Sequence, residues 1–165
     1  MASQWFGDND FWGTTRFNGV ELGAGDTLGV LVAMAIARIR GAGPSDSGVI
    51  SATGDTTSTD LKVVEADTPA MSVVVKAGVC IVNGVFTGIA ADVTLSSIPA
   101  PATNPRIDIV QINQSGTVSR KAGTEASSPV APTPDANNYQ LGQIALAVSM
   151  TEIENADCTD SRECI

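Results

Sequence analysis

The stretch Val79-Cys80-Ile81-Val82-Asn83-Gly84-Val85-Phe86-Thr87 decides the fold class. Two short apolar runs flank Asn83-Gly84, and Asn-Gly is the strongest short-range signal for a two-residue type I′ turn, in which both central residues take a positive φ. A β-hairpin is expected here. Outward from it the chain keeps alternating strand and turn. Segments 106–112 and 118–121 flank a second turn at Ser115-Gly116, and further strands are expected at 49–52, 61–65, 71–76, 93–96 and 143–148. That spacing suits a small antiparallel β-sandwich or barrel. Two proline-rich connections, SIPAPATNP and SSPVAPTPDANN, separate the later strands. Proline stiffens such loops and blocks stray pairing beside them. The β-domain is placed at 49–165, with no internal repeat of solenoid period.

Upstream of the strands, residues 41–48 read GAGPSDSG, a flexible linker by composition. Before it, DTLGVLVAMAIARIR predicts a helix over 27–40, capped by Asp26 or Thr27, ended by Gly41, and carrying Arg38 and Arg40 near its negative end. Leu28, Val30, Leu31, Val32, Met34, Ile36 and Ile39 surround it on all sides, so it must be buried on all sides. At about 20 Å it is too short to span a bilayer. Gly25, Gly29, Ala33 and Ala37 recur every fourth residue and permit close approach of another helix. Two readings stand: a helix at the centre of an oligomer, with Gly29, Ala33 and Ala37 at the interface, or a helix buried against its own sheet.

Residues 1–26 form the N-terminal segment. Five of the seven aromatic residues lie in its first seventeen positions: Trp5, Phe6, Phe11, Trp12 and Phe17. Large aromatics dominate core packing when a domain is self-contained, yet the rest of the chain has only Phe86 and Tyr139. Strung along a Gly/Asp/Asn-rich stretch without clear periodicity, the five are expected to form an extended arm that docks on a partner or a neighbouring copy. The alternative is a terminal strand folded back on its own domain.

Composition narrows the partners. The 165-residue chain carries a net charge of −9 with nine Lys and Arg, so phosphate backbones are repelled and nucleic acid is not expected as a partner. Membrane is not expected either, and no secretory signal peptide is read at the N-terminus. Cys80, Cys158 and Cys164 make an odd number. Cys80 sits in an apolar run, where a thiol behaves as a small hydrophobe, and this favours a reducing site of synthesis. Cys158 and Cys164 are close enough in sequence to pair under oxidising conditions, though two thiols are the favoured reading.

The chain has no histidine, which removes Ser-His-Asp and Cys-His nucleophilic systems and every His-containing zinc site. Residues 23–29 have the spacing GxGxxxG rather than that of a dinucleotide loop, and no βαβ unit surrounds them. Asp8-Asn9-Asp10 begins like a calcium loop, but Trp12 takes the fifth position and Gly19 the place of the bidentate Glu. Glu152, Glu154, Asp157, Asp160 and Glu163 offer carboxylates for glycoside hydrolysis in principle. A solvated acidic surface is the plainer expectation, with a weak local Asp160–Arg162 pair. No catalytic, cofactor or metal residue is assigned, and no cofactor is expected.

The second half does resemble a known family. Asn104-Pro105-Arg106-Ile107-Asp108-Ile109-Val110, then Gly123-Thr124 leading into Ser128-Pro129-Val130-Ala131-Pro132-Thr133-Pro134, then Leu141-Gly142-Gln143-Ile144-Ala145-Leu146-Ala147 and Asp160-Ser161-Arg162, is similar to a β module of tailed-bacteriophage upper-baseplate and tail-fibre-base proteins. The resemblance covers roughly 72–162. It implies a β-structured, oligomeric, non-enzymatic building block of the virion, assembled in the host cytoplasm. The family module is commonly followed by a distal receptor-binding region, whereas this sequence stops three residues after Arg162. The expected role is therefore a tail, baseplate or collar adaptor for fibre attachment, as a homo-trimer held by its arm to other virion proteins. A capsid-decorating head fibre or cement protein and a host-receptor or glycan-binding module are the alternatives.

Overall fold

A computed structural model describes residues 15–17, 20–22, 47–50 and 57–164. The chain divides into two compact units, Met1–Gly41 and Ala42–Ile165. In the first, β1 (Thr15–Phe17) and β2 (Val20–Leu22) pair antiparallel, with Phe17 opposite Val20. These two strands fall within the expected arm, the rest of which lies outside the described residues. The expected helix over 27–40, with Gly29, Ala33 and Ala37, lies outside the described residues, as do Trp5, Phe6, Phe11 and Trp12.

The second unit is mainly β and antiparallel. Its strands are β3 (Gly48–Ile50), β4 (Val63–Glu65), β5 (Val73–Val75), β6 (Gly78–Val82), β7 (Val85–Ile89), β8 (Val93–Leu95), β9 (Arg106–Asn113), β10 (Val118–Lys121), β11 (Asn138–Leu146) and β12 (Cys158–Asp160). They form a β3-β6-β7 sheet, a β4-β5-β8 sheet and a β10-β9-β11-β12 sheet. β12 lies beside β4, and β10 beside β8. The β6–β7 turn has φ of 47° at Asn83 and 74° at Gly84, the left-handed pair that a type I′ hairpin requires. The β9–β10 hairpin also forms where its turn residues place it.

Other boundaries move for identifiable reasons. β3 begins at Gly48, the last residue of the expected linker. Leu61 was expected to open a strand, but it takes φ 55° in a turn and β4 starts at Val63. Its side chain is nevertheless fully buried. β11 begins at Asn138, five positions before the expected start at 143, because Asn138, Tyr139 and Gln140 extend its pairing with β9 up to Asn113. The register shifts between Gln140 and Gly142, so Leu141 forms a β-bulge. The acidic tail is not merely solvated: β12 pairs with β11, and a 3-10 turn, Asn155–Asp157, precedes it.

The core gathers Val49, Leu61, Val63, Val73, Val75, Cys80, Val82, Val110, Ile112, Leu141, Ile144, Leu146 and Ile153 from all three sheets. Phe86 and Tyr139 are not fully buried, so aliphatic side chains fill the interior. β9 is enclosed on both faces. Val110 and Ile112 belong to the core, while Ile109 and Gln111, which alternate with them, are also inaccessible to solvent.

Candidate functional site

Three polar side chains interrupt the apolar run of β9, and all are buried: Arg106, Asp108 and Gln111. A buried carboxylate is tolerated only when paired and hydrogen-bonded. Asp108 Oδ1 accepts from Arg106 Nε at 2.8 Å and from the Gly123 N–H at 2.9 Å. Its Oδ2 accepts from Arg106 Nη2 at 3.3 Å and from Arg120 Nη1. Four donors occupy the accepting positions of one carboxylate, leaving little capacity for a metal ion. Arg106 Nη2 also donates to the Pro99 carbonyl. One buried ion cluster thus joins β9, β10 and the two loops that enter and leave them.

The loop glycine is fixed by this geometry. A Cβ on Gly123 would lie 2.0 Å from the Ile107 carbonyl oxygen, closer than any real contact. Two residues on, the Glu125 carboxylate accepts from three consecutive main-chain N–H groups, those of Ala102 and Thr103 at 2.9 Å each and of Asn104 at 3.1 Å. These bonds hold its pKa below the usual glutamate range. The Ala126 N–H reaches the Pro105 carbonyl at 3.1 Å. The far end of the proline-rich strap 122–135 is fastened as well. Asp135 exchanges bonds with the Gln111 amide, at 2.6 and 2.9 Å, and accepts from Lys121 Nζ at 2.7 Å. The Lys121 and Gln111 bonds lower the Asp135 pKa.

A second buried guanidinium closes the other end of the sheet. Arg162 pairs with Asp160 and donates to the main-chain carbonyls of Ser58 and Asp60. Its side chain is wholly buried, while that of Asp160 keeps partial exposure, so only the acid has the surface position expected of the pair. Burial opposes the Asp160 charge, but the Arg162 bonds outweigh it and the Asp160 pKa falls. Beside this cluster, Tyr139 Oη bonds the main chain of Glu163, and the Glu163 carbonyl accepts from Val49 N–H at 2.7 Å.

Of the residues expected to dock partners, Phe17 alone is among the described residues. Trp5, Phe6, Phe11, Trp12, Gly29, Ala33 and Ala37 lie outside the described residues, as do residues 8–10 and 23–29, and Phe17 is placed only as the end of β1. Of the acidic tail, Glu154 and Asp157 form a reciprocal capping box and Asp160 is engaged by Arg162. No group of three or more His, Cys, Asp or Glu placed to hold a metal occurs among the described residues. Cys80 and Cys158 are thiols whose pKa burial pushes up to about 12 and about 11. Sequence reasoning missed Gln111, Glu125, Asp135 and Tyr139. A polar residue inside an apolar strand was the available signal for Gln111. For Glu125 there was none, since its partners are main-chain groups.

No family model, curated protein or solved structure matches this chain.

Proposed function

We propose that this chain is a structural, non-enzymatic component of a tailed-bacteriophage virion. Its N-terminal segment anchors it to the tail, baseplate or collar, and its β-domain is presented as an adaptor for fibre attachment, most simply in a homo-trimer. The observation that carries this reading is the use made of the set of motifs that begins with Asn104-Pro105-Arg106-Ile107-Asp108. Arg106, Asp108, Gly123 and Arg162, its chemically capable or conformationally special members, are engaged in fastening loops and strands. That is scaffold chemistry, and it suits a module that must keep its shape under mechanical load. We further read the β4-β5-β8 and β10-β9-β11-β12 sheets as closing into one small barrel, since β12 runs beside β4 and β10 beside β8.

Deletion of residues 1–17 tests the anchoring. The truncated chain is expected to keep the circular dichroism and melting behaviour of the β-domain and to be lost from purified particles. Normal incorporation of the truncated chain would overturn the arm as anchor. Cryo-electron microscopy of intact particles would then distinguish a tail adaptor from a capsid decoration by position. Ala33→Glu tests the oligomer: a charge placed in a dry interface costs several kcal/mol, so sedimentation should show dissociation with the β-domain still folded.

A further inference from the structure

We propose that Glu125 is an acid-released latch that fastens loop 101–105 to the proline-rich strap after β10. Three N–H groups from Ala102, Thr103 and Asn104 converge on its two oxygens. The anion is a pure acceptor and satisfies all three donors; a protonated carboxyl places an O–H among donors and loses accepting capacity. The loop ends are held separately, by Arg106 Nη2 on the Pro99 carbonyl and by the Ala126 N–H on the Pro105 carbonyl. Protonation therefore frees the middle of the loop while its ends stay fastened. The charged group acting on Glu125 is Arg106, itself held by Asp108, and the loop contributes main-chain N–H groups.

The sign follows from the depressed pKa of Glu125. The latch is closed at neutral pH and through the ordinary glutamate range, and it opens as pH falls through the lower folded-state value. This device does not rest on the virion reading.

Amide-exchange protection in the full chain tests it, measured by NMR from about pH 7 to about pH 3. Gly116 N–H, bonded to the Asn113 carbonyl at 3.0 Å, serves as a reference with no carboxylate partner. Protection at Ala102, Thr103 and Asn104 is expected to fall about tenfold or more at the acid end relative to Gly116, the scale of losing a charge-assisted bond. Glu125→Gln should show the reduced protection already at neutral pH, with no further acid step. Loss of protection at 102–104 only together with Gly116 would mean global acid unfolding and would overturn the latch. An acid step that persists in Glu125→Gln, or unchanged protection in that variant at neutral pH, would overturn it equally.

Discussion

The Arg162 guanidinium donates to the main-chain carbonyl of Asp60, 102 residues earlier in the sequence, from a position where its side chain has no solvent exposure. A second bond reaches the Ser58 carbonyl. Arg162→Met would strip both carbonyls of this donor and leave Asp160 with only the main-chain N–H of residue 162. Asp160 keeps access to water, so the cost is mainly that of the two carbonyls left without a donor, about 1–3 kcal/mol, and urea denaturation should show a loss of that order. Arg162→Lys keeps the charge but loses the planar fork, so an intermediate loss is expected.

Asp108 is more exacting, because two arginines face it. Asp108→Asn leaves Arg106 and Arg120 facing each other without a counter-charge and should destabilise by about 3–5 kcal/mol. Replacing Arg106, Asp108 and Arg120 together with apolar residues of similar volume should recover part of that loss. Recovery of stability in the triple variant, read from denaturation midpoints, would mark the cluster as a scaffold. A triple variant no better than Asp108→Asn would contradict this account.

Two glycines should respond differently to the same methyl group. At Gly84 the added Cβ carries the penalty of a positive φ, here 74°, so Gly84→Ala should cost about 1–2 kcal/mol. At Gly123 the Cβ would lie 2.0 Å from the Ile107 carbonyl oxygen, which is main chain and has no rotamer to move into. Gly123→Ala should cost about 3 kcal/mol or more, beyond ordinary overpacking. Comparing the two melting curves checks the difference.

Alkaline pH should weaken the fold through Cys80 and, by a smaller amount, through Cys158, whose burial raises its pKa from the same ordinary value. The ordinary Cys80 pKa of 9.0 is raised to about 12 by burial, so the folded state disfavours the thiolate that the unfolded chain forms freely. A group raised in this way contributes stability in full below its unfolded pKa, and the contribution is lost as pH rises through the folded value. Tyr139, pushed from 10.0 to about 12 mainly by burial, acts in the same direction. Stability should hold up to about pH 9 and decline toward about pH 12, and Cys80→Val should flatten the first part of that decline. A thiol reagent near neutral pH should leave Cys80 unmodified until the protein is denatured.

Legibility varied with how local the cause was. The Asn83-Gly84 hairpin was legible because its turn residues dictate their own φ values. The same dipeptide, Asn18-Gly19, lies between β1 and β2, but the aromatics crowded around it suit a docking segment equally well. β12 was missed because Cys158-Thr159-Asp160 has no apolar alternation; its place at the edge of the sheet comes from pairing with β11 and from Arg162 beyond it. Asp108 and Arg162 were visible as motif residues, but their burial was not. Glu125 was illegible for a different reason, since its bonds join positions more than twenty residues apart through main-chain groups that any sequence would supply.

The partnership of Arg162 with residues 58 and 60 also sets a timetable. On the ribosome, the turn around Leu61 and strand β3 are made long before the segment that completes them, since Val49 is bonded to Glu163 and bridged to Cys164. Until that segment emerges, the carbonyls of Ser58 and Asp60 lack their guanidinium and β11 lacks its neighbour β12. Contacts of such sequence separation form late and slowly. The nascent β-domain therefore passes through an incomplete, open-edged state, a period when binding by chaperones or pairing with sister chains competes with correct closure.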